Sequence, residues 1–279
     1  MDYITVSTDT EYIEHTLCFL YTLQQHSTTH IKVLARGVNL SSTCIDSLRS
    51  VYDDITVIDD STDLSTKRDK LKGDQSWEWS SLSDIKNNSF TYSDFMCYIN
   101  NMRFDNICTL IDLPDTNRVI NMDVDQLFIN SFDINDMFKQ GDIVTFNEHD
   151  QLTSIDTSDI HAGVWIPEVW TGGDTYTTDY PLNDESIIGV VNSETTRDYF
   201  NQAKRMIHED FLNWDADYNT INYLYNQFAD RISFTSPELK YNDRWYYSPD
   251  SVIWNGAANN RDKCQRYIDK RRDILNEIS

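Results

Sequence analysis

The sequence predicts an α/β fold: a mixed, mostly parallel sheet flanked by helices. Three observations predict it. The first sixty residues alternate β-type and helical hydrophobic patterns in the order β-α-β-α-β, which favours parallel strands joined by right-handed crossovers. A later apolar run, residues 118–129, has the length of a buried strand and carries two carboxylates, Asp123 and Asp125, where it ends. No linker rich in Pro or Gly divides the 279 residues, so the chain reads as a single domain over 1–260 with a charged helix over 261–279.

The elements follow in order. Residues 4–8 are rich in β-formers, and residues 12–25 set Ile13, Leu17, Leu20 and Leu23 at helical spacing. Residues 31–35 are a second strand. A helix over about 42–52 then carries Ile45, Leu48 and Val51 on one stripe, and residues 55–58 are a third strand. Residues 59–89 break the pattern with Ser, Asp, Lys and Asn around Trp77 and Trp79, and read as a long surface loop. A helix over about 91–110 leads through a turn at Leu113 and Pro114 into the strand that carries Asp123. A short helix at 134–139, a strand at 143–146 and a strand candidate at 161–166 come next, followed by a Gly/Thr/Asp-rich loop at 171–180. Helices are expected over 194–209 and 216–228, and the chain closes with residues 252–256 and the charged helix.

Composition excludes some functions. Lys and Arg number 23 against 46 Asp and Glu, a net charge of −23, so the surface repels nucleic acid and anionic lipid. Direct nucleic-acid binding is not expected. Membrane association is not expected either, because no run approaches the ~18 apolar residues of a span and the basic residues of the last helix are interleaved with acidic ones. The five cysteines are odd in number and form no Cys-x-x-Cys pair. Cys18, Cys97 and Cys108 sit among apolar residues as small core hydrophobes, which suits a reducing cytoplasm. The same acidity gives an anionic ligand a poor long-range field, so binding one calls for a metal ion or a local basic pocket.

With 36 aspartates in the chain, random placement gives about five Asp-x-Asp triplets, so spacing alone carries little weight. The chain has two, Asp123-Val-Asp125 and Asp215-Ala-Asp217, and only the first lies where an apolar strand meets a polar turn. Carboxylates at i and i+2 on an extended strand face one side and can converge on a hard divalent cation. The alternative is a solvated acidic turn.

The motifs also form a series. Asp9-Thr-Glu-Tyr12 follows the first strand, Arg103 closes Tyr98-Ile-Asn-Asn-Met-Arg103 on a helix, and Leu113-Pro-Asp-Thr-Asn runs into Asp123-Val-Asp125. This order resembles the GT-A glycosyltransferases, which are Rossmann-like, and most closely the family-8-like enzymes related to glycogenin and the galactosyltransferases. The resemblance covers roughly residues 1–260. It implies that Asp9 and Tyr12 meet the base and ribose of a nucleotide sugar, that Ser7 belongs to the same donor-binding set, and that Arg103 lies near the metal site. It also implies that Asp123 and Asp125 hold Mn²⁺ or Mg²⁺ against the donor diphosphate.

Further along, His161-Ala-Gly-Val is similar to the strand that such enzymes place beside the donor sugar. Asp217-Tyr-Asn-Thr-Ile-Asn222 resembles the family's Asp-Gln-x-x-Leu-Asn helix start, which makes Asp217 and Asn222 the catalytic candidates, although Tyr218 replaces the usual glutamine. Asp217 could equally cap its helix. In Val252-Ile-Trp-Asn-Gly256, Asn255 stands where a metal-binding histidine is expected, and its amide oxygen is a harder ligand that also suits Mg²⁺. Arg261 and Lys263 are the candidates for the cation facing the leaving diphosphate, with a solvated C-terminal helix as the other reading.

The implied activity is metal-dependent transfer of a sugar, with retention, from a nucleotide-sugar donor, UDP-sugar foremost, to an acceptor hydroxyl. Two alternatives remain. A sugar nucleotidyltransferase would show a Gly-rich basic loop after the first strand, and residues 6–16 contain no Gly, Lys or Arg. A catalytically inactive, GT-A-shaped nucleotide-binding or scaffold protein would account for Asn255 and Tyr218.

Overall fold

The alternating pattern at the start of the chain folds as three parallel strands, β1 (Asp2–Asp9), β2 (Lys32–Val38) and β3 (Ile55–Asp59), joined by helices α1 (Ile13–His26) and α2 (Ser42–Val51). The structure is a computed structural model, and it describes residues 1–61, 94–138, 141–147, 183–209, 216–243, 249–256 and 263–278. Most of the expected 59–89 loop with its two tryptophans, the strand candidate at 161–166, the loop at 171–180 and Arg261 lie outside the described residues.

Helix α1 buries Phe19, Leu20 and Leu23 with Ile4 and Val6 of β1 and Val33 and Ala35 of β2. Ser41 sets the start of α2, its hydroxyl accepting from the Cys44 amide at 3.1 Å. The opposite face of the sheet is covered by α3 (Asp94–Ile111), which packs Tyr98, Met102, Ile107 and Cys108 with Leu34, Val38 and Val119. Burial on both faces is what a parallel sheet requires.

Strand β4 (Arg118–Met122) pairs with β1 in parallel, and Arg118 opposes Asp2 in register and binds its carboxylate through two bonds of 2.9 and 2.6 Å. Beyond it lie β7 (Asn183–Val191), β6 (Ile143–Asn147) and β8 (Phe234–Thr235), giving the strand order β3-β2-β1-β4-β7-β6-β8 among the described residues. In this sheet every described strand runs parallel except β7, which is antiparallel to both neighbours. Sequence reading missed β7. Its first half, Asn183-Asp-Glu-Ser, is polar, and the strand shows only in Ile187, Ile188 and Val190, all buried. At Gly189 an added Cβ would meet Phe138 and Val144 at 2.9 Å, so a side chain there would part the sheet from the residues over it.

Helices α4 (Ile134–Met137), α5 (Glu194–Glu209) and α6 (Ala216–Phe228) fall where their patterns predict. A second, two-stranded sheet pairs β5 (Leu127–Phe128) with β9 (Ile253–Trp254), and so carries residues 252–256 back to the turn after β4. The last helix, α7 (Gln265–Ile278), begins later than the expected 261, with Lys263 ahead of it. It buries Tyr267 and Ile274 against Cys18, Leu127 and Trp254. Full burial of such side chains contributes about 1.5–3 kcal/mol each, which is enough to dock the helix on the domain.

All five cysteines are free, and Cys18, Cys97 and Cys108 are buried as read. Burial pushes the Cys18 and Cys108 thiols up to about 12, so they pack as apolar groups. No helix among the described residues is long and apolar enough to cross a membrane.

One expectation needs correction. Strand β4 stops at Met122, so Asp123 and Asp125 lie in the turn between β4 and β5 and not on the strand itself. Strand alternation does not aim them; the turn and its partners do.

Candidate active site

Strand register places Val6 of β1 beside Met122 of β4, so Ser7–Asp9, still paired with β2, extend past the end of β4 at the carboxyl edge where the Asp123–Asp125 turn leaves the sheet. Ligands of open α/β sheets bind at this edge. The amino end of α1 begins there as well, with its unpaired N–H groups and positive dipole end.

Asp9 is buried, and its carboxylate accepts from the Tyr12 amide at 2.8 Å, tying down the start of α1. Burial pushes its pKa upward, against the lowering effect of the Tyr12 and Glu11 amides. The Ser7 hydroxyl accepts from Asn106 of α3 at 3.2 Å. Tyr12 is partly exposed, and its phenol is held protonated first by burial and then by the charges of Asp125, Asp9 and Asp123. Its hydroxyl therefore sits in the field of both turn carboxylates.

Two cations divide those carboxylates. The Arg103 guanidinium lies 3.5 Å from Asp123 Oδ1 and 3.3 Å from Asp217 Oδ2. Arg103 Nε also donates to the Asn100 carbonyl at 2.8 Å, and Nη2 donates to the Asn100 side-chain oxygen. Asn100 in turn donates its amide to Asp217 Oδ2 at 2.8 Å. Arg103 is thus no surface residue of its helix: it is buried, and it joins α3 to the first turn of α6. Asp217 is buried too, with its carboxylate turned toward α3. Its place in the first turn of a helix further favours the negative charge.

The second cation is Lys263. Its ammonium lies 2.7 Å from Asp125 Oδ2 and donates to the Asp125 carbonyl at 3.0 Å, the Asn255 carbonyl at 2.7 Å and Asn255 Oδ1 at 2.8 Å. Asn255 Nδ2 donates to the other Asp125 oxygen at 3.3 Å. The ammonium also stands 5.0 Å over the Tyr267 ring.

The structure therefore gathers Ser7, Asp9, Tyr12, Arg103, Asp123, Asp125, Asp217, Asn255 and Lys263 at one edge of the sheet. Asn222 lies on α6 five residues beyond Asp217, and Arg261 lies outside the described residues. Asp123, Asp125 and Asn255 offer hard oxygen donors of the kind that Mn²⁺ or Mg²⁺ takes, so the donor set fits such an ion in its chemistry. Two of those oxygens are bonded to Lys263. Among the described residues no group of three His, Cys, Asp or Glu side chains could hold a metal.

Sequence reading missed two neighbours. Asn100 precedes Arg103 by one helical turn, and that spacing is the signal that could have found it. His15, behind Tyr12, lies 3.2 Å from the Tyr267 hydroxyl through Nδ1 and accepts from Arg271 at 2.6 Å through Nε2. Burial, then the Arg271 charge, lowers its pKa to about 4, so it is neutral at pH 7. No sequence pattern marks it.

No protein-family model matches the chain, and no curated protein matches it in sequence. Solved structures match its fold. The glycosyltransferase GlyE of Streptococcus pneumoniae TIGR4 superposes with a TM-score of 0.52 at 12% identity, over 99% of this chain and 62% of that one. The chain thus spans about three fifths of that protein's length. The galactosyltransferase LgtC, solved in complex with donor and acceptor sugar analogs, superposes with a TM-score of 0.54 at 12% identity, over 98% of this chain and 96% of that one. The chain has the GT-A fold of these glycosyltransferases.

Proposed function

We propose that the protein is a glycosyltransferase that moves a sugar from a nucleotide-sugar donor, UDP-sugar foremost, to an acceptor hydroxyl. One observation carries the proposal. At the carboxyl edge of a GT-A sheet, Asp123 and Asp125 sit between two cations, Arg103 and Lys263, beside the Asp9–Tyr12 loop at the start of α1. LgtC, which shares the fold, was solved with donor and acceptor sugar analogs, in line with this reading.

Transfer breaks the bond between the anomeric carbon and the diphosphate oxygen and forms one to the acceptor oxygen, whose proton is given up. Negative charge grows on the diphosphate while the sugar takes on oxocarbenium character. The site must therefore offer positive charge to the first and negative charge to the second. When bound by Asp123, Asp125 and the Asn255 amide oxygen, Mn²⁺ or Mg²⁺ would act as a Lewis acid on the departing diphosphate. Arg103 brings fixed positive charge to the same edge. On this reading Tyr12 offers its ring to the base, and the Ser7 hydroxyl, held by Asn106, belongs to the donor-binding set. Asp217, buried and ion-paired to Arg103 at the start of α6, is on the same reading the carboxylate assigned to support charge on the donor sugar through Arg103 and Asn100, with Asn222 five residues further along the helix. Retention of configuration belongs to this reading.

The test is release of nucleoside diphosphate from a panel of UDP-, GDP- and TDP-sugars with Mn²⁺ or Mg²⁺, comparing the wild type with Asp125→Asn. The expected result is metal-dependent release from one donor, reduced at least ~100-fold in the variant, the scale of losing one electrostatic contact to developing charge. Undiminished release by Asp125→Asn would sink the role given to the turn. The bonding of Lys263 to Asp125 and Asn255 favours a second reading, a catalytically inactive nucleotide-binding scaffold. Nucleotide binding in a thermal-shift assay without turnover of any donor would select it.

A further inference from the structure

The oxygen shell around Lys263 is larger than an ammonium needs. An ammonium has three N–H donors, yet four oxygens stand within 3.0 Å of Nζ: Asp125 Oδ2, the Asp125 carbonyl, the Asn255 carbonyl and Asn255 Oδ1. More acceptors than donors is the arrangement of a coordinated ion, in which charge matters more than bond direction. Asn255 fits the same account. An amide can accept from an ammonium and donate to a carboxylate at once, and Asn255 does both, to Lys263 and to Asp125.

The fold presents the lysine firmly. The Cys264 amide donates to the Gly256 carbonyl at 2.8 Å, closing the chain around residue 263. Gly256 has φ +66°, and a Cβ on it would meet the Tyr267 ring at 2.5 Å, so Gly256 and the buried Tyr267 are in direct contact. The Lys263 ammonium stands 5.0 Å over the same ring.

We infer that Lys263 is a built-in occupant of the cation site, and that its ammonium and a divalent metal ion are alternative guests of the Asp125 and Asn255 oxygens. The inference rests on the reading of Asp123, Asp125 and Asn255 as the metal donors of a glycosyltransferase. Mn²⁺ or Mg²⁺ would need the oxygens that the ammonium holds, drawn in to the ~2.1 Å at which such ions bind. Two cations sharing one carboxylate would repel each other at that range. Binding of the metal therefore requires Lys263 to leave, and the lysine keeps the turn charge-compensated whenever no metal is bound.

The test measures Mn²⁺ alone. Its affinity is read by the electron paramagnetic resonance signal of free Mn²⁺, without nucleotide, for the wild type, Lys263→Met and Lys263→Gln. The expected result is at least ~10-fold tighter binding in both variants, abolished when Asp125→Asn is added to either. Unchanged or weaker affinity, including no binding to any of the proteins, overturns the inference. If Lys263→Met fails to fold by circular dichroism, the polar and similarly long Gln variant decides the matter. Nucleotide-sugar thermal shifts on the same proteins report separately on the transferase reading: failure to bind any nucleotide sugar would remove that reading, while Mn²⁺ affinity alone decides the role of Lys263.

Discussion

Replacing Arg103 with Met removes the cation that joins α3, the Asp123 turn and the start of α6, and the cost can be worked from the geometry. The Asp217 side chain is 1% exposed and the Arg103 side chain 5%, with their closest polar atoms 3.3 Å apart. At an effective dielectric constant of about 20, two unit charges at that distance attract by roughly 5 kcal/mol. Removing one partner of a buried pair typically costs about 3–5 kcal/mol, because the other charge stays in a medium that solvates it poorly. The Asn100 amide still donates to Asp217 at 2.8 Å, which offsets part of the loss and places the expectation near 3 kcal/mol. Urea denaturation at pH 7 reads this as a lower midpoint at unchanged m-value. The double variant Arg103→Met with Asp217→Leu should recover most of the stability, because apolar side chains in place of both charges leave none uncompensated. A loss below 1 kcal/mol for Arg103→Met, or a double variant whose loss is the sum of the two single losses, would refute the reasoning.

Two pH predictions follow from groups near or behind the site. Burial disfavours ionisation of Asp105, but hydrogen bonds and charge from His208 and Lys204 outweigh it and hold the carboxyl well below its usual range. A depressed carboxyl contributes stability that is full above its unfolded value, near 3.8, and is lost as pH falls through the folded value. Asp105→Asn should therefore cost about 2 kcal/mol at pH 7, with the gap to wild type narrowing below pH 4 in chemical denaturation. His15 has the opposite chemistry. Its pKa is about 4 in the fold against 6.5 unfolded, so as pH falls from 6.5 to 4 the unfolded chain gains a proton that the native state refuses. Stability should drop by about 2–3 kcal/mol over that window, and His15→Gln should flatten this part of the Tm profile.

Much of the fold was legible because its signals are local. Residues 1–60 alternate cleanly, and the amphipathic stripes of α5 and α6 match their observed bounds. Strand β7 escaped because a strand that is polar in its first four residues looks like the end of a loop. The candidate site divides in the same way. Asp9, Tyr12, Asp123 and Asp217 were found at the ends of elements whose positions the sequence marks. The partnership of Arg103 with both Asp123 and Asp217 depends on how α3 and α6 pack, which no spacing encodes. Lys263 was the hardest to place. Its charged surroundings read as a solvated helix, whereas the pairing of β5 with β9 and the burial of Tyr267 put it against Asp125.

The two cations of the site also differ in a way that argues for different work. Arg103 is planar, almost fully buried and spread over two carboxylates and Asn100, so moving it would strand Asp217 in the interior. It is suited to hold the shape of this edge of the sheet. Lys263 is a point charge on a flexible stem, 14% exposed, facing an Asp125 carboxylate that is 28% exposed. Withdrawing it leaves Asp125 and the Asn255 amide within reach of water, so its departure costs far less than that of Arg103. On the proposed reading, a nucleotide diphosphate arriving with or without a metal ion brings charges that must be accommodated at one of these two positions. The less deeply buried, single-charge contact is the one that can yield, and this is the physical basis for assigning exchange to Lys263 and permanence to Arg103.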